Sequence, residues 1–213
     1  MRGLFVTFEG IDHSGKTTMA DAVSSRLEEL GCEVVRCHEP GGTNISEAIR
    51  GVLLSRDSTG MLPETELWLY EAARMQLVGE VIVPALERGA VVVCDRYTDS
   101  TIAYQCHARG LDRALVEHAN GIGSSGLAPD VTVILDLPPA IAAGRAEDEE
   151  DRIEAEGLGF QEAVRSGFLE IASANPGRCT IVDARLPFEE AEALAWEPIA
   201  QAMQAMGNFR GIC

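Results

Sequence analysis

The densest chemistry in this 213-residue chain lies between Gly10 and Thr18. Gly10-Ile11-Asp12-His13-Ser14-Gly15-Lys16-Thr17 fits the pattern G-x-x-x-x-G-K-[ST], with Thr18 following. Glycine at these positions lets the backbone wrap so that its N–H groups converge on phosphate oxygens. Lys16 then offers a point charge to the β- and γ-phosphates of a nucleoside triphosphate, and the Thr17 hydroxyl offers a ligand to Mg²⁺. Lys16 is also the only lysine; the other sixteen of the 17 basic residues are arginine. A glycine-rich turn that binds nothing is the alternative, and the flanking elements argue against it: a strand over Leu4–Phe8 precedes the loop and a helix over 16–30 follows it.

Three further groups invite a functional reading, each with a plain alternative. Val91-Val92-Val93-Cys94-Asp95 is an apolar strand ending in a carboxylate, suited to contact Mg²⁺ through water or merely to close a turn. Arg96 follows directly, where a guanidinium would meet a transferring phosphoryl group. Glu39-Pro40-Gly41-Gly42-Thr43 follows the second strand, at the edge where open α/β sheets bind ligands, and also reads as a simple turn. Tyr70 and Arg74 lie four apart on an expected helix and so share a face. They suit a base stacked on one and hydrogen-bonded by the other, or equally a half-buried ring beside a surface cation.

The elements that must position these residues alternate. Short runs rich in β-branched residues at Leu4–Phe8, Glu33–Cys37, Val91–Cys94, Val131–Leu135 and Cys179–Val182 fit buried strands. Helical patterns cover 16–30, 45–55, 64–88, 112–122, 138–146, 158–174 and 188–205. Asn44 with Glu47 suggests a capping box, Pro63 with Glu64 and Glu66 a helix start, and Pro84 a kink or early end. Strands alternating with helices imply a five-stranded parallel sheet flanked by helices, a three-layer α/β domain spanning residues 1–213.

Composition sets the class. With 46% hydrophobic and 24% charged residues the chain is an ordinary globular protein. No apolar run approaches the roughly 18 residues of a membrane span. Glu9 and Asp12 fall too early for a secretory leader, and six scattered cysteines without a Cys-x-x-Cys pair suit reduced thiols in a cytoplasm. A net charge of −17 argues against a nucleic-acid partner. It does not bar polyphosphates, because charges beyond about 8 Å are largely screened at physiological salt.

Taken together, FEGIDHSGKTT, EPGGT, the Tyr70–Gln76 stretch, CDRYTDSTIAYQ, PDVTVILDLPP and DRIE resemble the thymidylate kinase family nearly end to end. The resemblance implies a P-loop fold and transfer of the γ-phosphate of ATP to dTMP with Mg²⁺, in a homodimer. It implies ATP at Gly10, Ile11, Asp12, His13, Ser14, Gly15, Lys16, Thr17 and Thr18. Asp12 would accept from the 3′-hydroxyl of dTMP, and Arg50 and Arg96 would hold its phosphate. Thr17, Asp95 and Glu39 would serve Mg²⁺, the carboxylates through water. Tyr70 would stack on thymine and Arg74 donate to its O4. Thr101, with Ser100, would meet N3; Gln105 would line the pocket, and Tyr104 would crowd the 2′ position.

The likeness has gaps. Family members bring an arginine to the transferring phosphate from the phosphate loop or from a lid, but the loop position here is His13. The lid segment, 144–156, carries seven acids and only Arg145 and Arg152. The expectation is that Arg145, then Arg152, reaches the ATP phosphates while the acids face solvent. His38 stands where relatives often have arginine. The alternatives are another nucleoside or deoxynucleoside monophosphate kinase and a non-catalytic nucleotide-binding regulator; a GTPase is excluded for want of any Asn-Lys-x-Asp guanine reader.

Overall fold

A computed structural model describes residues 2–145 and 151–207. Five strands, β1 (Phe5–Glu9), β2 (Val34–His38), β3 (Val91–Asp95), β4 (Val131–Asp136) and β5 (Cys179–Asp183), form one parallel sheet in the order β2-β3-β1-β4-β5. This is the expected five-stranded arrangement. β1 is wholly buried and β4 nearly so, as fits strands covered on both faces. Alternation divides their side chains between two layers. Val6 and Phe8 pack with Met19, Val23, Leu27, Trp196 and Ile199, while Phe5 packs with Leu77, Ile82, Val92 and Tyr97.

Register decides where the chemistry falls. Phe8 of β1 lies opposite Asp95 of β3, and Asp95 lies opposite His38 of β2. The three carboxyl ends therefore finish in one row, which sets the phosphate loop, Asp95-Arg96 and Glu39 side by side at the edge where α/β sheets bind ligands.

The helices mostly fall where periodicity puts them: α1 (Lys16–Glu29), α2 (Asn44–Leu54), α3 (Pro63–Leu77), α4 (Val83–Glu87), α5 (Thr98–Thr101), α6 (Arg113–Gly123), α7 (Pro139–Ala143), α8 (Leu158–Ala174) and α9 (Phe188–Ala205). Three details differ from expectation. The N-cap of α2 is Thr43, not Asn44: Thr43 Oγ1 accepts from the Ser46 N–H at 3.1 Å. Glu47 closes no box on Asn44 but accepts from the Gly42 N–H at 2.7 Å. The expected 64–88 helix is α3 and α4 joined through a π-helical turn, Val78–Ile82. Pro84 lacks the N–H that would bond Glu80, and the wider turn ahead of it absorbs the clash. Finally, α5 runs on as a π-helical segment, Ile102–Ala108, in a stretch with no helical expectation at all. That segment packs closely on α8, where the absent side chain of Gly167 admits His107: a Cβ there would lie 2.9 Å from the His107 ring. Among the described residues no helix is long and apolar enough to cross a membrane.

Candidate active site

The loop between β1 and α1 is built to receive anions. Gly15, at φ 92°, turns the chain into α1, whose first turn has neither a side-chain cap nor an acid, so its N–H groups stay available. Lys16 is buried, and its Nζ donates to the Ile11 carbonyl at 2.7 Å. Burial, reinforced by Arg96, pulls the ammonium down to about 8 against the opposing pull of Asp95, Asp12 and Glu9. Thr17 Oγ1 donates to Asp95 Oδ2 at 2.6 Å. Ile11, Ser14 and Thr18 complete the loop and its helix, and the Ser14 hydroxyl is buried without a partner among the described residues.

Asp95 Oδ1 and Glu39 Oε1 are likewise buried and unpartnered among the described residues, and both residues line the cleft that holds Lys16 and Thr17. No group of three or more His, Cys, Asp or Glu among the described residues could cage a metal. A hydroxyl plus two free carboxylate oxygens suits Mg²⁺, which keeps waters and phosphates as its other ligands.

Beside this cleft lies a second pocket, lined by Asp12, Glu39, Arg50, Tyr70, Arg74, Arg96, Ser100, Thr101, Tyr104 and Gln105. Every residue expected to hold the acceptor thus comes together, from loops and helices up to 93 positions apart (12 to 105). Asp12, Glu39, Arg50 and Arg96 line both cavities. Arg50 Nη1 donates to the Pro40 carbonyl at 2.9 Å. Arg96 sits at φ 70°, a conformation uncommon for a residue with a side chain, and donates to Gly10 O, Ser100 Oγ and Asp12 Oδ1. Burial would raise the Asp12 carboxyl, but Arg96 and Lys16 hold it down at about 2; Tyr104 OH also donates to it, at 3.1 Å.

Arg74 is neither surface-exposed nor free. It is 2% exposed, its Nε donates to Glu39, its Nη1 to Glu71 and Asn120, and its Nη2 to Tyr97 O. A guanidinium has five N–H donors; four are taken here, which leaves one Nη2 hydrogen for the pocket. Burial pushes Glu39 up to about 7, with Arg74 opposing and Glu71 reinforcing the shift.

The lid expectations fare differently. Residues 146–150, which include Glu147 to Glu150, lie outside the described residues. Arg145 is exposed and its Nη2 donates to Ala184 O at 2.9 Å, just past the carboxyl end of β5. Arg152 is held between α2 and α3: its Nε donates to Leu53 O and its Nη1 pairs with Glu66 at 2.7 Å. Nor do the described acids simply face water. Glu154 pairs with His13 Nε2 at 3.1 Å over the phosphate loop, Asp151 accepts from the N–H groups of Ile153 and Glu154, and Glu156 takes Arg109. His38 faces Glu47 rather than a phosphate position.

Sequence reasoning missed four residues that hold this site. Glu9 is buried and accepts from Tyr97 N, Ser100 N and Ser100 Oγ. Glu71 and Asn120 clamp Arg74, and Glu66, read as a helix-start acid, is 1% exposed. Glu66 and Glu71 recur on the face of α3 that carries Tyr70 and Arg74, a spacing that a closer reading of the periodicity would find.

A thymidylate kinase family model matches residues 8–194. The chain is 47% identical over 191 residues to the thymidylate kinase of Solidesulfovibrio magneticus, covering 85% of this chain and 91% of that protein. It is 44% identical to that of Desulforudis audaxviator over 99% of this chain and 96% of the other. The crystal structure of thymidylate kinase from Ehrlichia chaffeensis superposes with a TM-score of 0.76 at 31% identity, covering 94% of this chain and 99% of that one. The paired clefts joined by Asp12, Arg50 and Arg96, and the match over most of the chain, lead to one conclusion: this chain belongs to the thymidylate kinase family.

Proposed function

We infer that this protein transfers the γ-phosphoryl group of ATP to dTMP, yielding dTDP and ADP. The observation that carries the reading is the shared wall of the two clefts, where Asp12, Glu39, Arg50 and Arg96 face both. An acceptor phosphate in one cavity and a triphosphate in the other would meet at those residues. A phosphate oxygen of dTMP attacks the γ-phosphorus and the bond to the β–γ bridging oxygen breaks, a transfer that needs alignment and charge neutralisation more than covalent chemistry.

Lys16 and the loop N–H groups hold the triphosphate. Mg²⁺, when bound, neutralises charge on the transferring group; Thr17, with Asp95 and Glu39 through water, would hold it. Arg96, anchored on Asp12 and Gly10 O, and Arg50 hold the acceptor phosphate. Arg145 has no carboxylate partner among the described residues and is the lid cation left available to the triphosphate. Tyr70 stacks on the base and the spare Arg74 hydrogen meets thymine O4. Cytosine presents an amino group there, so donor would face donor in a buried site. Thr101, Ser100 and Gln105 line the base pocket, while Tyr104, fixed by Asp12, narrows the sugar site. Scattered cysteines go with a cytoplasmic setting. Exposed Ile45 and Val52 on α2, and Trp68 and Met75 on the adjoining α3, are each seven apart and form an apolar face suited to a second copy.

A coupled assay across dTMP, dUMP, dCMP and dGMP tests the activity. ATP-dependent turnover with dTMP preferred is expected; preference for another acceptor, or none, overturns it.

A further inference from the structure

Glu66 lies in the first turn of α3, where an acid ordinarily faces water and complements the helix dipole. Here it is buried and takes four hydrogen bonds from three residues on two distant segments. Gln105 Nε2 donates to Oε1 at 3.0 Å and Arg109 Nε to Oε1 at 3.1 Å. Arg109 Nη2 and Arg152 Nη1 both reach Oε2, at 3.1 and 2.7 Å. Each donor leads to a wall of the acceptor pocket or to its support. Gln105 lines the pocket directly, and Tyr70 stands one helical turn beyond Glu66 on the same face of α3. Arg152 holds its own strip against α2, donating from Nε to Leu53 O at 2.7 Å and from its backbone N–H to Leu54 O at 3.2 Å. Leu54, Asp151 and Ile153, on both sides of that seam, line the pocket. Arg109 Nη1 reaches on to Glu156, closing a cluster of two guanidinium groups and two carboxylates.

Buried ion pairs rarely stabilise a fold more than apolar packing of the same volume. What the cluster adds is direction: Glu66 takes each guanidinium in one geometry, while Arg152 Nη2 stays buried without a partner among the described residues. We propose that Glu66 is a positioning residue of the acceptor site, which sets the helix of Tyr70, Gln105 and the strip 151–153 in one preorganised arrangement, and that Arg152 acts through Glu66 rather than on the triphosphate. This deepens the kinase reading above and rests on it for the identity of the acceptor.

Steady-state kinetics of the full chain with dTMP and ATP varied separately, backed by calorimetric dTMP binding, test it on Arg152→Met, Glu66→Gln and the double variant. KM is the useful readout, since it does not depend on how much of a preparation is folded. Arg152→Met should raise KM and Kd for dTMP about tenfold, with kcat within about threefold and the ATP KM within about twofold. Glu66→Gln should lose at least as much, because it strands two guanidinium groups. The double variant should lose less than the product of the two single losses. A kcat loss of about 100-fold in Arg152→Met with dTMP KM unchanged would place Arg152 on the transferring phosphate and overturn the proposal. Lower urea midpoints with unchanged dTMP KM would reduce the cluster to a structural role and overturn it equally. Should Glu66→Gln not fold, Arg152→Met decides alone. Should the wild type prefer another monophosphate, the kinase reading changes while the same comparison, run with that acceptor, still decides the role of Glu66.

Discussion

Lys16 shows how one residue carries both affinity and a pH signature. Its ammonium is pulled down to about 8 by burial, with Arg96 reinforcing the shift. A triphosphate would supply counter-charge and raise the value again, so binding should draw a proton from solution between about pH 8 and 10. ATP affinity should correspondingly fall as pH rises above about 8. Calorimetry at pH 8.5 in two buffers of different ionisation enthalpy reads the uptake directly; heats that do not depend on the buffer would show that Lys16 is already charged. Arg74 is the second case. Its charge is shared with Glu39 and Glu71, so its value to the base lies in the one remaining N–H. Arg74→Lys keeps the charge and loses the fork. We expect kcat/KM for dTMP to fall by about 10²-fold and the dTMP-over-dCMP ratio to shrink. A ratio that survives the change would move base reading to Thr101 and Gln105.

At the scale of elements, helix ends and strand ends are where this protein joins fold to site. The Thr43 cap starts α2, which carries Arg50. Thr43→Ala should lower unfolding free energy by about 1 kcal/mol in urea titrations, while Asn44→Ala should change little. The reverse order would restore Asn44 as the cap. Glu9, at the carboxyl end of β1, binds the turn that starts α5 and so supports Arg96. Burial, with Asp99 nearby, pushes Glu9 up to about 8 from an ordinary 4.5. Between those values the folded state binds more protons than the unfolded one. Its contribution is therefore fully present below about pH 4.5 and is lost as pH rises through about 8. Glu9→Gln should leave stability near pH 5 within about 1 kcal/mol and flatten the fall toward pH 8. Some slope should remain, because Glu39, pushed up to about 7, acts in the same direction. An unchanged slope in urea midpoints across pH 5 to 8 would show that Glu9 is ionised in the fold.

At the scale of the whole molecule, −17 of net charge surrounds a site that must take two polyanions. The arrangement works because Lys16, Arg50 and Arg96 stand at the site itself, while acids more than about 8 Å away are largely screened. The same acidity would oppose self-association unless apolar area offsets it, and the α2–α3 face supplies such area. Light scattering coupled to size-exclusion chromatography should give a dimer for the wild type and a monomer for Trp68→Glu. A dimer that tolerates the charge would place the interface elsewhere.

Much of this was readable before folding. Local rules sufficed for the five strands, most helices and the phosphate loop, because β-branched runs, helical spacing and a glycine-flanked turn act over a few residues. The acceptor-pocket residues were also legible, through their likeness to a known family. The choice of partners was not. Arg145 and Arg152 look alike in an acidic segment, yet one is exposed and the other half-buried on Glu66. Nothing in local spacing marks Glu66 as the acceptor of Arg152, 86 positions away (66 to 152), or Glu9 as a cap for Tyr97 and Ser100. Sequence was enough for the triphosphate loop and the elements on either side of it, and likeness to a family pointed to a thymidylate-type pocket. Which charges hold that pocket together and which remain for substrate came from the folded chain, because burial and the distance between remote segments set those pairings.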